Sequence, residues 1–598
     1  MQINPTCMRH HQKRFLIISI VVFLISLLAV FYFIKQYQYP RQVISHLFIN
    51  HALAQEEADQ GYIDDFQAEL KINQDNSVEV TETIVYNFGD LERHGIYREI
   101  PYSYKVSGGN FTVSLKVSDV TDEEGKAVDY QVVTESGQVK IKIGNPDVLI
   151  SGRQTYKISY SLNRIINFFA DHDELYWNVT GNRWPVAIDR SGVLIKLPSG
   201  VLAASLNAEC FTGLVGSQEK NCQVTNITNS QVGYSSFGTL LPGEGLTVVL
   251  GWPKGILTPP SMWQQMVWLV RDNPFLPLPI VVLVVMLVLW YFHGRDLGAK
   301  RSIIPVYEAP ANLLPVEVGS LIDERVNLKD ISSTFIHLAV RGYIKIKNLP
   351  NKDWELLKTK NFGDLVPWEK EFADEVFKNN KTSVKLSDLK NVFYQYLPKL
   401  KKEIYASLVA KNFFPDSPGR VRVVYFSTAV ALFLVGLICS QIISGGFINI
   451  AALAVSAIII AAIGQIMPHK TVQGHLMVDQ IKGYELYLGV AEKSRLNFSN
   501  APQKTPEVFE RHLPYAMVLG LEKKWAKQFA KIYVEQPSWY DGNLASFNSL
   551  ILINSLNSFD SYSRSMIIAA PGSAAGGGSG FSGGSSGGGF GGGGGGSW

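Results

Sequence analysis

At 598 residues the chain is too long for a single small domain and has room for three or more. An apolar fraction of 46% fits a protein that mixes membrane spans with soluble modules, and 18% charged residues leave no large surplus of either sign. The formal net charge of +3 conceals a split, because residues 56–270 hold 16 Lys and Arg against 26 Asp and Glu, whereas residues 294–420 hold 21 against 16.

Four apolar runs punctuate the chain: Phe15 to Ile34, Phe275 to Phe292, Val423 to Ile443 and Phe447 to Met467. Each is close to the ~20 residues a helix needs to cross a bilayer, and a helix satisfies its own backbone there. The expected architecture is a multi-domain membrane protein with four transmembrane helices and the lipid bilayer as a partner. Basic segments stay inside. That rule puts residues 1–14 in the cytoplasm, the acidic region 56–260 outside, and the basic region 294–420 inside. The spans 423–443 and 447–467 then form a short hairpin, and residues 468–570 lie inside. Arg295, Lys300 and Arg301 after the second span, Arg420 and Arg422 before the third, and Lys470 after the fourth agree. The first run, 15–34, reads as an uncleaved anchor in preference to a signal peptide. Ala52-Leu53-Ala54 has the form of a cleavage site but lies far from Ile34.

Residues 56–260 read as a β-sandwich-like domain. Phe66 to Leu70, Ser77 to Tyr86, Phe111 to Val117, Val139 to Ile143, Thr155 to Tyr160, Gly192 to Leu197 and Gly245 to Leu250 are short and rich in β-branched or aromatic residues. Turn formers such as Asp75-Asn76 and Gly144-Asn145-Pro146 punctuate them. Cys210 and Cys222 share this oxidising side and are expected to close a disulfide loop, whereas Cys7 and Cys439 are expected as free thiols. Trp263 and Trp268, just before the second span, suit a membrane interface.

In 294–420 the period changes. Asn327 to Arg341 sets Ile331, Phe335, Leu338 and Ala339 on one helical face, Gly342 stops the helix, and Tyr343 to Lys347 and Trp354 to Leu357 form a hairpin. That order is the closing half of a winged helix. Its recognition helix would expose Lys329, Ser332, Ser333, His337 and Arg341, too few cations for phosphate contacts, so no nucleic acid is expected. Pro367 to Phe377, Ser387 to Ala410, Thr505 to Gly520 and Leu521 to Tyr533 complete a helical region. The tail 572–598 is glycine and serine broken by few other residues, and is expected to be disordered because it has little apolar area to bury. Gly580 to Gly584 matches a nucleophile-elbow pattern but lacks the strand and helix that give the pattern meaning.

Six segments carry a resemblance: Glu92 to Pro101, Tyr176 to Gly181, Trp184-Pro185, Cys210 to Gly213, Leu338 to Tyr343, and Phe509 to Ala516. With them, and with the glycine-rich end, the chain resembles the YciQ-like family of predicted bacterial membrane proteins. The resemblance implies a β-rich extracytoplasmic domain, membrane spans and a cytoplasmic helical domain. It implies no reaction and no catalytic residues.

Candidate sites come from charge clusters. Arg93, His94 and Arg98 could hold an anionic ligand or partner by charge-assisted hydrogen bonds, or could simply pair with Glu92 and Glu99. Asp171, His172, Asp173 and Glu174 offer ligand types for a divalent cation, although successive strand residues face opposite ways. No cofactor motif stands in a supporting context. The reading is a non-enzymatic envelope protein whose outer domain binds a protein or envelope polymer and whose spans join it to a cytoplasmic interaction domain. The alternative is a membrane-bound hydrolase or transferase.

Overall fold

The computed structural model describes residues 61–106, 109–199, 202–228, 230–296, 302–310, 313–350, 352–443, 446–489, 503–542, 547–570 and 590–598. The expected first span 15–34, Cys7 and Ala52-Leu53-Ala54 lie outside the described residues. Two compact units emerge. One takes in the described residues of 33–277, 437–452 and 578–598, and the other those of 278–436 and 453–577.

The first unit is β-rich. Its strands are β1 (Tyr62–Ile72), β2 (Ser77–Asn87), β3 (Gly95–Pro101), β4 (Ser103–Val106), β5 (Gly109–Thr112), β6 (Ser114–Thr121), β7 (Tyr130–Glu135) and β8 (Gln138–Gly144). There follow β9 (Arg153–Asn163), β10 (Ile166–Phe168), β11 (His172–Asn178), β12 (Ser191–Lys196), β13 (Asn207–Gly213), β14 (Cys222–Thr225), β15 (Gln231–Ser236) and β16 (Gly245–Pro253). A seven-stranded sheet runs in the order β14-β15-β12-β1-β2-β9-β6, with β1 and β12 parallel. Strict alternation builds it: Phe66, Ala68, Leu70 and Ile72 of β1 and Val78, Val80, Ile84 and Tyr86 of β2 all face inward. The turn between them rests on Asp75, whose carboxylate accepts from the Ser77 amide at 3.0 Å. Strands β10-β11-β16-β13 form a second sheet and β3-β8-β7 part of a third, all around one core that includes Trp177, Trp184 and Trp252. The stretch expected as one strand, Phe111 to Val117, breaks at Val113, whose amide turns away to donate to the Tyr102 carbonyl at 2.8 Å. Cys210 and Cys222 are joined by a disulfide, and Cys439 is a free thiol.

Helix α1 (Met262–Asp272) follows the last of these strands. Ser261 caps it by accepting from the Gln264 amide at 3.2 Å, and the Arg164 guanidinium anchors it through Asp272 at 2.7 Å while lying over the Trp268 ring. Met262 and Trp263 are 80% and 75% exposed, and Met266, Val267 and Leu269 join them in an exposed apolar surface. Next come α2 (Leu278–Leu289), prolonged by a π turn over Trp290–Gly294, and, in the second unit, α3 (Pro315–Asp323), α4 (Leu328–Val340), α5 (Pro367–Val376) and α6 (Leu397–Ala410). Helices α7 (Pro418–Ile443) and α8 (Phe447–Gly464) are long and apolar enough to cross a membrane, whereas the helical stretch Leu278–Gly294 is shorter. Helices α9 (Val472–Gly489), α10 (Pro506–Val518), α11 (Glu522–Phe529) and α12 (Ser549–Ile568) complete the second unit around its own core.

The helix and hairpin read from the sequence are present. Asn327 and Asp330 box the start of α4, Gly342 follows it at φ 73°, and β17 (Ile344–Asn348) pairs antiparallel with β18 (Trp354–Lys358). The exposed recognition helix is not. Ser332 and Ser333 are each 1% exposed, because α4 packs among α3, α10 and α12, and their hydroxyls are satisfied internally: Ser333 donates to the Asp330 carbonyl at 2.6 Å, and Ser332 bonds Asp560. His337 and Arg341 turn toward the buried carboxylate of Glu369. The hairpin also gains β19 (Ser383–Lys385) and β20 (Tyr540–Asp541) to make a four-stranded sheet. Helix α6 starts ten residues later than the expected Ser387, after two short 3-10 turns and with Pro398 in its first turn.

The last nine residues overturn the expectation of disorder where they are described. Phe590–Gly591 forms β21 and Gly594–Ser597 forms β22, both paired within the β-rich unit. A glycine strand has no side chains to bury, but its amides and carbonyls find partners along two strand edges, which offsets the ordering of its backbone.

Candidate functional site: a groove filled by a glycine strand

The site begins with a charge placed where an apolar residue belongs. In β3 the inward positions are Ile96, Arg98 and Ile100, and Arg98 is completely buried. Its Nε donates to Glu82 Oε2 at 2.8 Å and its Nη2 to Glu82 Oε1 at 2.9 Å, a bidentate fork on another fully buried side chain. The Tyr160 hydroxyl donates to the same carboxylate at 2.8 Å, and the rings of Phe66 and Trp184 lie 5.7 and 5.9 Å from the guanidinium. Burial works against the charge of Arg98, but the field and hydrogen bonds of Glu82 outweigh it and hold the guanidinium's pKa above its ordinary value.

The third guanidinium nitrogen defines the groove. Nη1 donates to the carbonyls of Gly592 at 3.1 Å and Gly594 at 3.3 Å, and to the Glu99 carbonyl at 3.1 Å. Around this point the chain's last residues bridge two sheets. Strand β22 lies antiparallel on β3, from Gly594 opposite Glu99 to Ser597 opposite Ile96. The pairing is closed by His94 N donating to the Trp598 carbonyl at 2.7 Å and Trp598 N donating to Gly95 O at 3.1 Å. Strand β21 runs parallel to β11, Gly592 N donates to Asn178 O at 3.0 Å, and Arg183 N donates to Gly593 O at 2.9 Å.

Only glycine fits the middle of this strand. A Cβ on Gly593, which sits at φ 81°, would fall on the Glu99 carbonyl oxygen, and one on Gly595 would fall on both the Tyr97 carbonyl and the Trp184 ring. The ends are aromatic. Phe590 packs against Tyr104 and Phe111 with centroids 5.2 and 5.3 Å away, and Trp598 stacks on His94 under Lys142 while its Nε1 donates to the Ile143 carbonyl at 3.1 Å. The Gly591 amide donates to the Tyr104 hydroxyl at 2.9 Å. Burial pushes the pKa of that hydroxyl up to about 12, so it remains protonated and can donate to the Pro101 carbonyl at the same time. Beside the strand opens a cleft of about 850 Å³, with Gly591 to Gly593 in one wall and Tyr176, Asn182, Arg183 and Phe211 among its other lining residues.

The residues singled out from the sequence are distributed as follows. Arg93 donates to the Glu92 carbonyl at 3.1 Å, His94 stacks on Trp598, and Arg98 points inward, so the three do not converge on one surface anion. Arg98 pairs with Glu82 and not with Glu92 or the Glu99 carboxylate, which meets Lys140 instead at 3.2 Å. His172, Asp173 and Glu174 lie on β11, where Asp173 is buried and pairs with Lys254 at 2.5 Å, on the opposite face from its neighbours. His172 bonds Asp171 at 2.8 Å, and this bond leads the causes that lower the Asp171 pKa. Among the described residues no three His, Cys, Asp or Glu side chains gather as a metal ion would require. Missed in the sequence were Glu82, Tyr104, Asn178 and Arg183. One signal for Glu82 was available: it occupies an inward slot of a strand that otherwise alternates cleanly.

Four of the six segments that carry the family resemblance meet here: Glu92 to Pro101 is the groove's edge strand, Tyr176 to Gly181 its opposite wall, Trp184 its floor, and Cys210 to Gly213 borders the cleft. Comparison with known proteins agrees with the resemblance. Residues 62–252 match the N-terminal domain, and residues 303–529 the C-terminal domain, of the family described as predicted membrane protein (DUF2207). The uncharacterized protein YciQ of Escherichia coli is 22% identical over 370 residues. The match spans 57% of this chain and 57% of that relative's length. Solved structures are only distantly similar. An M1 zinc metallopeptidase from Deinococcus radiodurans aligns with 32% of this chain and 42% of its own at 10% identity and a TM-score of 0.20. A non-cellulosomal cohesin from Archaeoglobus fulgidus aligns with 19% of this chain and 72% of its own at 14% identity and a TM-score of 0.12. Scores this low carry no argument about activity.

Proposed function

The chain belongs to the DUF2207 family of predicted membrane proteins, and we propose that within it this protein is a membrane-anchored binding protein whose β-rich unit accepts an extended glycine segment as an added strand. One observation carries the reading: a buried guanidinium, held in place by Glu82, spends its remaining donors on the carbonyls of a strand that only glycine can form. Main-chain hydrogen bonds supply affinity in such an arrangement, and the steric demand for glycine supplies specificity.

The membrane setting follows from α7 and α8, from the exposed apolar surface of α1, and from the opposite charge of the two soluble regions. On this reading the β-rich unit is extracytoplasmic, the helical unit is cytoplasmic, and the spans join a partner-binding module outside to an interaction module inside. A reporter active only outside, fused after Gly200, is expected to work, and one fused after Lys347 to fail. The binding itself is tested in detergent with the chain ended at Ala570. A labelled peptide covering Phe590 to Trp598 should bind saturably, and the same peptide with alanine at the positions of Gly593 and Gly595 should not. Equal binding of the two peptides would refute recognition of a glycine strand.

A further inference from the structure

We infer that the groove's working occupant is a glycine-rich segment of a second polypeptide on the outer side of the membrane: a protein bearing a run of about six glycines between an aromatic residue and a Ser-aromatic pair, for which this chain's own tail stands in. The inference rests on the reading of the β-rich unit as a glycine-strand acceptor on the outer face. Gly591 to Gly596 are six consecutive glycines flanked by Phe590 and by Ser597-Trp598.

The argument is one of access. The acidic charge of residues 56–270 and the basic charge of 294–420 assign the two regions to opposite sides, with the tail following the helical region. Chemistry keeps the tail from the groove. Between Gly572 and Gly589 the sequence is almost all glycine and serine, with no apolar run to form a spanning helix, and an extended segment would leave its amides and carbonyls unsatisfied in hydrocarbon. The groove, by contrast, makes no use of covalent continuity with its ligand. Its contacts are the backbone pairing along β3 and β11, the Arg98 donors, and two aromatic seats at Phe590 and Trp598. Any polypeptide presenting that short pattern on the outer face meets the same partners.

The test uses sealed right-side-out membrane vesicles carrying either the full chain or the chain ended at Ala570, with the labelled Phe590-to-Trp598 peptide added outside. Both are expected to bind it, with affinities within about threefold, and in both the Arg98→Lys change should weaken binding at least tenfold, because lysine cannot serve Glu82 and two carbonyls together. If only the shortened chain binds, the groove is real but filled by its own tail, and the inference of a second polypeptide is overturned while the acceptor reading stands. If neither binds although the shortened chain binds in detergent, the β-rich unit does not face outward and the inference fails on topology. If neither binds in either setting, the acceptor reading itself is lost.

Discussion

Replacing Glu82 by leucine leaves the Arg98 charge fully buried with its fork empty, and removing one partner of a buried pair costs about 3–5 kcal/mol. The structure places this substitution at the upper part of that range, because Glu82 also accepts from Tyr160 and both partners are shielded from solvent. In the full chain in detergent the loss can be read locally. Hydrogen exchange of peptides from β1, β2 and β9, which share the seven-stranded sheet, should accelerate by roughly three orders of magnitude or slightly more at ~1.4 kcal/mol per tenfold. The double change Glu82→Leu with Arg98→Met removes both charges and keeps comparable volume, so most of the lost protection should return. The amides of β22 should nevertheless remain fast in the double variant, since Gly592 and Gly594 no longer have a guanidinium to accept from. If Glu82→Leu alone changes exchange by less than threefold, or if the double variant is as unstable as the single one, the account of a buried pair that both supports the fold and builds the groove is wrong.

Gly595→Ala should expel the glycine strand in detergent, where both ends of the chain share one solution, because the new Cβ would meet the Tyr97 carbonyl and the Trp184 ring. Protection should fall in β22 while β1 and β2 stay within ~1 kcal/mol of the parent, and retained protection of β22 would contradict the steric argument. Alkylation without reduction should leave Cys210 and Cys222 unlabelled, and reduction should lower the stability of the β-rich unit by about 2–3 kcal/mol for so short a loop. The two buried histidines of the helical unit should each lower its stability as pH falls below 6.5. Burial, with Arg511 beside it, depresses the His512 pKa to about 4, and burial with Arg341 depresses that of His337 to about 3. At these groups the unfolded chain takes up protons first, costing about 1 kcal/mol per histidine between pH 6.5 and 5.5. Asp330 works the other way, since burial pushes its pKa up to about 7 and the folded chain protonates it first. Replacing His512 by glutamine should therefore remove about 1 kcal/mol of acid destabilisation over that interval, and a variant whose melting temperature tracks the parent's in parallel would rule this out.

Where one side of a strand is uniformly apolar, the sequence announces it: β1 and β9 alternate so regularly that their inward residues can be named in advance, and β2 does so at every inward position but Glu82. The Asn327 cap, the helix behind it and the Gly342 stop were readable for the same reason, since each is a local rule. The groove escaped because its two walls break that rule. Strand β3 turns Arg98 inward and β11 turns Asp173 inward, so the charge pattern resembles a surface loop until Glu82 and Lys254, both remote in sequence, are brought alongside. Ser332 and Ser333 misled in the opposite sense. Small hydroxyls that return their hydrogen bonds to their own helix can be buried at little cost, so polarity there did not mean exposure. The tail has no periodicity at all; its only local clues were the aromatic residues at its two ends.

The crowding around Gly595 also bears on how such a protein avoids self-association. A strand with an unoccupied edge invites any neighbouring chain to pair with it, and fibrils grow from such invitations. With the glycine segment absent, β3 would present an edge of that kind, but Tyr97 and Trp184 stand where an incoming strand would have to place its side chains. Most polypeptides that drift against it would meet that obstruction before their backbone could come into register. The same bulk that selects the ligand thus guards the edge when the ligand is away.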